Sequence, residues 1–373
     1  MKSNEILFIS LWPQPANVYY TASYLQALDR TCRHPVSAWV SYKFPRDFAY
    51  TNVRIKRIYC PFNINKENLF PLATQPFVFL WFALRLFFNQ ARILQIYFTY
   101  PWLTILYPLL RWKFKIIHVL HDIKPHLGEE KLRNRLGIWM AIKFANIVIV
   151  HARVLKEALI LEYGVPEDRV VVFPLGHSGL TLKYGHPTTA EEPGTILFAG
   201  RILHYKGLHC LLEAFRRLIE KMPEARLIIA GPGDIGPYKQ ALSLLGERVE
   251  LHNKVVGDDE FADIVRRASI VALPYIEGSH SAALMTALTF GKPVVCTKVG
   301  GFPEIIDHGV NGFLVPPGDV ERLEEALVTL LQDENLRKSF GKKGRERVFV
   351  DMSWDKIASM ISEIYDRILS EKK

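Results

Sequence analysis

The sequence predicts an α/β protein made of two Rossmann-like, doubly wound domains. Three observations lead to this prediction. Short apolar runs alternate with helical patterns along the chain, which is typical of parallel α/β units. The alternation occurs twice, on either side of a segment rich in Gly, Pro, Ser and Thr. The length of 373 residues also exceeds what one hydrophobic core usually supports.

The same pattern sets the predicted domain limits. The N-terminal domain should span residues 1–175, followed by a linker over 176–194. The C-terminal domain should span 195–350, and residues 351–373 should form a final helix.

The N-terminal domain should contain seven strands with helices between most of them. Two of these helices are predicted at Lys131–Ala145 and Ala152–Tyr163. The predicted strands are Ile6–Ser10, Val36–Val40, Val53–Tyr59, Ile93–Phe98, Phe114–Leu120, Ile147–Val150 and Val170–Phe173.

The C-terminal domain repeats the pattern with six strands and a helical tail. Its strands are predicted at Thr195–Ala199, Ala225–Ala230, Val249–His252, Ile270–Pro274, Pro293–Thr297 and Gly312–Val315. Its helices are predicted at Gly207–Met222, Pro237–Leu245, Asp259–Ala268, Ala282–Phe290, Val320–Leu331, Glu334–Val348 and Ser353–Leu369.

The cysteine content and the N-terminal sequence indicate in which cellular compartment the protein is expected. The four cysteines stand far apart without a C-x-x-C pair, so neither a disulfide framework nor a zinc site is predicted. The first apolar run, Glu5–Ser10, has the pattern of a strand and not of a signal peptide. A reducing, cytoplasmic location is therefore expected.

The net charge of +9 is unevenly distributed. Residues 1–175 hold 22 Lys and Arg against 11 Asp and Glu, a net of +11, whereas residues 176–373 hold 25 against 27, a net of −2. A basic half favours an anionic partner, and the alternative is an ordinary solvated surface that happens to be basic.

An aromatic-rich stretch lies inside this basic half. The apolar run Pro71–Phe88 is interrupted by Gln75-Pro76 and Arg85, so it is too short and broken to span a bilayer. Aromatic residues beside Lys and Arg, from Phe77 to Lys115, suit a membrane interface. Two interpretations stay open: peripheral attachment to the inner face of an anionic membrane, or a helix buried in the core.

Four glycine-bearing loops follow strands of the C-terminal domain, where open parallel sheets bind ligands. After the first strand come Gly200-Arg201 and then Lys206-Gly207, and these two cations could clamp a diphosphate or could be surface charges near a turn. The remaining three loops carry Gly231-Pro232-Gly233-Asp234, Pro274-Tyr275 with Glu277–Ser281, and Gly300-Gly301-Phe302-Pro303-Glu304.

The third loop leads into a helix. Ser281 suits the N-cap position, and an open helix start offers free N–H groups and a positive dipole end to an anion. The alternative is an ordinary helix cap after a strand.

The order and spacing of these motifs resemble retaining family 4 (group 1) glycosyltransferases. The resemblance covers about residues 195–320 and extends through Phe290-Gly291-Lys292-Pro293-Val294-Val295 and Asn311–Asp319. In the N-terminal half, Leu120-His121-Asp122 resembles a His-Asp element of one bacterial branch, but the glycine-rich loop after the first strand is replaced by Trp12–Asn17.

The resemblance implies a GT-B fold and a retaining, metal-independent transfer from a nucleotide-sugar to a glycan or lipid-linked acceptor, in bacterial polysaccharide synthesis. The acceptor would bind the N-terminal domain and the donor the C-terminal domain, with the last helix crossing back. The implied catalytic residues are His121, Asp122, Arg201, Lys206 and Glu277. The implied substrate-binding residues are Gly200, Gly231, Gly233, Ser279, His280, Ser281, Thr286, Gly300 and Gly301.

One family motif is incomplete. The family's E-x7-E glutamates would stand at Gly278 and Thr286, so Glu277 lies one residue early and the second glutamate is missing. We expect Glu277 to serve the sugar site through a small bulge at Gly278–His280, and Thr286 or backbone groups to hold the ribose.

The expected chemistry is stabilisation of the departing nucleotide diphosphate. Arg201, Lys206 and the helix start at Ser281 would supply positive potential without a metal or other cofactor. His121, oriented by Asp122, would hold a sugar hydroxyl or polarise the reacting centre, unless it is a hydrogen-bonded core histidine.

Two other functions stay open at this point. A nucleotide-sugar epimerase of the same fold also uses carboxylates and histidine, but needs no acceptor. The missing glutamate would equally fit a catalytically inactive, glycan-binding subunit. Nucleic-acid binding is disfavoured because no recognisable module accompanies the basic half.

Overall fold

The chain folds into two compact units, each described here by itself. The structure, a computed structural model, describes residues 5–58, 75–124 and 132–371. Unit 1 comprises residues up to Pro174 together with the segment from Trp354 onward, and unit 2 comprises Leu175–Ser353. Of the predicted segments, Tyr59, residues 71–74 and Lys131 lie outside the described residues.

Unit 1 is built on a parallel seven-stranded sheet. Its strand order is β3-β2-β1-β4-β5-β6-β7, and the interior strand β1 is buried along its whole length, as expected for a sheet covered on both faces. The strands are β1 (Ile6–Ser10), β2 (Val36–Ser41), β3 (Val53–Ile58), β4 (Ile93–Ile96), β5 (Lys115–Val119), β6 (Ile147–Val150) and β7 (Val170–Val172).

Seven described helices cover this sheet. They are α1 (Pro15–Thr31), α2 (Gln75–Phe87), α3 (Pro101–Thr104), α4 (Tyr107–Leu110), α5 (Leu132–Phe144), α6 (Arg153–Leu161) and α14 (Trp354–Ser370).

The last helix belongs to unit 1 by its contacts. Helix α14 packs along α1, and its Trp354 ring lies 5.7 Å from Tyr20 and 6.1 Å from Tyr24. Ion pairs Arg30–Asp355 (2.5 Å) and His34–Asp366 (2.6 Å) add to this apolar contact. The segment after residue 353 therefore completes the core of the first unit.

Unit 2 is built on a parallel six-stranded sheet of order β10-β9-β8-β11-β12-β13. Its strands are β8 (Thr195–Ala199), β9 (Arg226–Ala230), β10 (Val249–His252), β11 (Ile270–Leu273), β12 (Val294–Thr297) and β13 (Phe313–Val315). Its helices are α7 (Leu208–Lys221), α8 (Lys239–Leu245), α9 (Asp258–Arg267), α10 (Ala282–Thr289), α11 (Phe302–Ile305), α12 (Val320–Gln332) and α13 (Glu334–Asp351).

The core of unit 2 lies between β8 and the helices that cover it. Phe198 from β8, Phe215 from α7 and Leu327 from α12 are completely buried together. This close packing leaves the loops at the carboxyl ends of the strands as the part of the unit free to bind ligands.

The two predicted Rossmann-like domains are confirmed, with strand ends within one or two residues of the expected positions. The segment 176–194, predicted to be the interdomain linker, is anchored to unit 2. It contains a 3-10 turn at Gly179–Lys183, and Thr189 donates a 2.7 Å hydrogen bond to the carboxylate of Asp263. Arg267 also binds Glu192 at 2.6 Å.

The interpretation of the aromatic stretch as a helix buried in the core is wrong, because most of its side chains are exposed. Phe82 and Leu86 of α2 face the core, with 1% and 0% of their surfaces exposed. Phe77 and Phe88, on the outer side of the same segment, are 73% and 72% exposed. The segment is thus apolar on both its buried and its exposed sides.

Candidate functional site

The glycine-bearing loops predicted from the sequence all lie at one edge of the unit 2 sheet. They follow β8, β9, β11 and β12, which are parallel, so their carboxyl ends meet at the same edge. This edge therefore brings together the predicted residues between Gly200 and Gly301.

The loops after β8 and β9 are pressed together backbone against backbone. Gly200 donates a 2.9 Å hydrogen bond to the carbonyl of Ala230, and Ile202 donates one of 2.8 Å to Pro232. Gly231 has φ +146°, and a Cβ there would overlap the carbonyl oxygen of Gly200. Glycine is required because a side chain would force the two loops apart.

The ammonium group of Lys206 is aimed back over this pair of loops. Its Nζ lies 2.7 Å from where a Cβ of Gly200 would stand, and 5.0 Å from the centre of the Tyr275 ring. The aromatic face attracts the cation and holds it at the strand end. The neighbouring Arg201 is exposed, so both predicted cations stand at the mouth of the β8 loop.

Gly207 lets the Lys206 loop approach β11 closely. It has φ +70°, and a Cβ would overlap the carbonyl of Pro274. Ile276 donates a 2.7 Å hydrogen bond to the carbonyl of Tyr205, which joins the same two loops. These contacts fix the backbone of the loop that contains Lys206.

The loop Glu277–His280 is braced by the double glycine after β12. Gly301 donates a 2.8 Å hydrogen bond to the carbonyl of Ser279. Gly300 has φ +47°, and a Cβ there would overlap the carbonyl of Gly278. Glu277 is half-buried on this braced loop, and Gly278 has φ +156°.

The start of α10 is capped as predicted. The Ser281 hydroxyl accepts a 3.3 Å hydrogen bond from the Leu284 amide and lies 3.1 Å from the Tyr275 hydroxyl. Thr297 donates a 2.6 Å hydrogen bond to the carbonyl of Tyr275. Tyr275 therefore links the β11 loop, the helix start and β12, and its ring contacts the Lys206 ammonium group.

Thr286, which stands where the family's second glutamate is expected, has protein partners of its own. Its hydroxyl donates to the carbonyl of Ala282 at 2.9 Å and lies 3.2 Å from the hydroxyl of Ser178. The Ser178 amide also donates a 3.0 Å hydrogen bond to the hydroxyl of Thr289. These contacts anchor residue 178 to α10, and the ribose contact stays a prediction.

The predicted His-Asp element follows β5 in unit 1. His121 is half-buried, and its Nε2 lies 2.9 Å from the carbonyl of Tyr97, the residue after β4. Its ring stacks on Phe98 with centroids 4.6 Å apart and lies 4.7 Å from His151. The Tyr97 carbonyl and the Phe98 ring thus orient the imidazole at the carboxyl edge of this sheet, and Asp122 lies beside it.

The fully buried core histidine of this region is His118, which sequence reasoning did not single out. Its Nδ1 lies 2.6 Å from the Tyr107 hydroxyl and its Nε2 lies 3.0 Å from the Thr99 hydroxyl. Burial, reinforced by the nearby His121, lowers the pKa of His118 to about 3, so the imidazole is neutral.

Sequence reasoning missed several polar residues that support the loops after β8, β9, β11 and β12, which we call the donor loops because the family resemblance assigns the sugar donor to this domain. The side-chain carbonyl of Asn253 accepts a 3.0 Å hydrogen bond from the Gly233 amide, and Thr297 and Ser178 act as described above. Asn253 and Thr297 both lie at strand ends, which is the signal that could have found them. Ser178 gives no such signal, because it lies more than 100 residues from its partners.

Two family models match the chain with little left over. The model described as glycosyl transferases group 1 matches residues 186–347, and the model described as glycosyltransferase family 4 matches residues 18–177. The chain belongs to the group 1, family 4 glycosyltransferases. The predicted family is therefore confirmed, and the first match covers every donor-loop residue named above.

Individual relatives agree with this assignment. An uncharacterized glycosyltransferase of Methanocaldococcus jannaschii is 29% identical over 234 residues, which are 58% of this chain and 59% of the relative. A phosphatidyl-myo-inositol mannosyltransferase of Mycobacterium leprae is 32% identical over 186 residues, 49% of this chain and 48% of the relative. The matched regions thus span about half of the length of these relatives.

Solved structures share the fold of nearly the whole chain. Anabaena HepE in complex with UDP-glucose has a TM-score of 0.73 and 18% identity, covering 97% of this chain and 99% of HepE. The GT-B fold is thereby confirmed for the two units.

Proposed function

We propose that this protein transfers a sugar, with retention of anomeric configuration, from a nucleotide diphosphate sugar to a glycan or lipid-linked acceptor. The observation that carries the proposal is the cationic mouth of the β8 loop. There Lys206, held over Gly200 by the Tyr275 ring, stands beside the exposed Arg201. The structural neighbour solved with UDP-glucose supports a nucleotide-sugar donor. The relative named phosphatidyl-myo-inositol mannosyltransferase supports a lipid-linked acceptor.

The chemistry proposed for this site is electrostatic. When the bond between the sugar and the diphosphate breaks, negative charge develops on the leaving phosphate. Arg201 can bind two phosphate oxygens through its planar fork, and Lys206 acts as a point charge. The free N–H groups at the start of α10 add positive potential, so the reaction is proposed to need no metal.

The close glycine contacts serve this chemistry by fixing the cations before the donor binds. Because the loops at Gly200, Gly207 and Gly231 touch through backbone atoms, the charges need little reorganisation during the reaction. In unit 1, His121 is proposed to hold a hydroxyl of the reacting sugar, with its ring oriented by the Tyr97 carbonyl. The overall role would be in bacterial polysaccharide synthesis.

The first experiment is to replace Arg201 and Lys206 separately by alanine. Each change should weaken transition-state stabilisation by about 2–4 kcal/mol, a loss of about 30- to 1000-fold in kcat/KM. Thermal shift against UDP-, GDP- and ADP-sugars identifies the donor, and release of nucleotide measures turnover. Lys338→Ala, which removes an exposed cation of α13, is the matched control.

The same assay separates the alternatives. A transferase consumes donor faster when acceptor is added, an epimerase converts donor without acceptor, and an inactive subunit binds without turnover. Activity that disappears with EDTA would contradict the metal-independent mechanism. Normal kinetics in both cation variants would contradict the diphosphate clamp.

A further inference from the structure

The helices that connect strands β3 to β6 lie on one side of the unit 1 sheet. Right-handed crossovers place α2, α3, α4 and α5 on the same side, because these connections all run in the direction from β3 towards β7. Direct contacts join them: the rings of Phe82 and Trp102 are 5.0 Å apart, and Gly137 of α5 packs on Pro101 of α3. They therefore share one outer surface.

This outer surface exposes large apolar side chains. Among the described residues, 12 of the 19 exposed large hydrophobic side chains lie in the segments 77–88, 105–112 and 132–139. The most exposed are Trp112 (87%), Leu132 (81%), Phe77 (73%) and Phe88 (72%). We call this surface of α2, α4 and α5 the apolar face. An exposed apolar patch gathered on one side of a unit marks an interaction surface.

The charged residues within these described segments are all positive. Segments 75–121 and 132–146 contain no Asp or Glu, whereas Arg85, Arg111, Lys113, Arg133, Arg135 and Lys143 lie in the same segments as the exposed rings. The Arg85 guanidinium lies 4.3 Å from the Trp81 ring, and the Lys143 ammonium lies 4.6 Å from the Trp139 ring. Cations stacked on exposed tryptophans are typical of an interfacial surface that meets lipid headgroups.

We propose that the apolar face of unit 1 docks on the surface of an anionic lipid bilayer. The aromatic and leucine side chains would enter the boundary between headgroups and acyl chains, and the cations would bind lipid phosphates. No helix among the described residues is long and apolar enough to cross a membrane. A second copy of the chain is disfavoured as the occupant, because a symmetric pair would bring six cations against six cations.

This proposal rests on the proposed function in one respect: a surface-docked enzyme can reach a lipid-linked acceptor without extracting it from the bilayer. The docking contacts themselves are independent of the donor loops, since they lie in unit 1 and the loops lie in unit 2. Donor binding and vesicle binding can therefore be measured separately.

The test is co-sedimentation of the full-length protein with vesicles of phosphatidylcholine and about 30% phosphatidylglycerol, an anionic surface of the kind that attracts basic segments. Removing two surface charges with Arg133→Gln and Arg135→Gln should weaken binding at low salt about 25-fold, since each basic residue near an anionic surface contributes about fivefold. The triple variant Phe77→Ser, Phe88→Ser and Trp112→Ser should lose binding to a similar or greater extent. Binding of the wild type should also fall with salt.

Matched controls come from exposed residues elsewhere. Leu244→Ser removes a side chain of unit 2 that is 73% exposed, and Lys338→Gln with Lys342→Gln removes two exposed cations of the same unit. These variants should bind vesicles like the wild type. In vesicles with brominated acyl chains, bromine should quench the tryptophan fluorescence of the wild type more than that of Trp112→Ser, because Trp112 would lie near the bromine atoms.

Three outcomes would overturn the proposal: no binding of the wild type at low salt, equal loss in the control variants, or a dimer in solution that the triple variant dissociates while vesicle binding is absent. The variants should retain the wild-type thermal shift with the donor. If the wild type shows no thermal shift with any nucleotide-sugar, this would count against the proposed function and not against membrane docking.

Discussion

At the scale of single residues, the donor loops depend on a few close contacts that only glycine permits. The Lys206 ammonium occupies the space that a side chain at residue 200 would fill. A glycine there thus makes room for the cation that the proposed chemistry requires. The two residues act as one feature, although five positions separate them in the sequence.

Glu277 and Thr286 give a prediction at this scale. Glu277→Ala should lower turnover strongly if its carboxylate serves the sugar site, and Glu277→Gln should do the same because the charge is lost. Thr286→Ala should cost about 1 kcal/mol, mainly in stability, because its hydroxyl already bonds Ala282 and lies beside Ser178.

Thr286→Ser is the control, since it keeps the hydroxyl. Turnover is measured with the donor found by thermal shift, and stability by urea denaturation. A Glu277→Ala protein with normal turnover would show that Glu277 is a charge on the loop after Tyr275 with no part in the reaction.

Gly207 gives a second prediction. Gly207→Ala must adopt φ +70° and also displace the Pro274 carbonyl, whereas Gly309→Ala must adopt φ +78° with no atom within 4 Å of the new Cβ. Both variants should lose about 1 kcal/mol of stability to backbone strain. Only Gly207→Ala should lose a further amount of about 1–3 kcal/mol of stability, and it should also bind the donor weakly. Urea denaturation and donor thermal shift measure both effects, and equal losses in the two variants would contradict the close contact.

At the scale of elements, β4, β5 and α4 enclose the neutral His118. Its pKa of about 3 lies below the ordinary value of 6.5, so the unfolded chain binds a proton more readily than the folded chain between these pH values. The contribution to stability is complete above pH 6.5 and is lost as the pH falls towards 3. The steepest loss is about 1.4 kcal/mol per pH unit.

The matching experiment compares His118→Gln with the wild type. The variant should be less stable at about pH 7, because it disturbs the contacts with Tyr107 and Thr99, but its melting temperature should fall less steeply between about pH 6.5 and pH 4. His186→Gln, at an exposed position, serves as the control. Parallel pH profiles for His118→Gln and the wild type would contradict the lowered pKa.

At the scale of the whole molecule, unit 1 is assembled from two distant parts of the chain. Trp354 is 4% exposed and packs on Tyr20 and Tyr24, so α14 contributes core to a sheet that ended more than 170 residues earlier. Loss of this contact should therefore destabilise unit 1, although residue 354 directly follows unit 2 in sequence.

Trp354→Ala tests this assembly. The variant should lose about 3–5 kcal/mol of stability, the usual cost of removing a buried aromatic side chain. Trp112→Ala, which removes an 87% exposed tryptophan, should stay within about 0.5 kcal/mol of the wild type. Calorimetry measures both, and equal effects of the two changes would contradict the packing of α14.

Much of the fold could be predicted because each strand is a short, locally recognisable apolar run. The ends of β1, β6, β8 and β10 agree with the prediction to the residue. In β1, β6 and β8 every residue is buried, which makes these runs almost wholly apolar. The anchoring of segment 176–194 to Asp263 and Arg267 could not be predicted, because it depends on side chains about 75 residues away. Its composition alone is that of a linker.

The sequence by itself determined the family, the two sheets and the positions of the donor loops, because strand periodicity and glycine-bearing motifs are local properties of the chain. The tertiary structure decided which side chains act together. It placed Lys206 on the Tyr275 ring, turned the Thr286 hydroxyl towards Ala282 and Ser178, and divided α2 into a buried and an exposed side. Such contacts join residues far apart in sequence, and the burial of an apolar residue depends on which surface the rest of the fold brings against it.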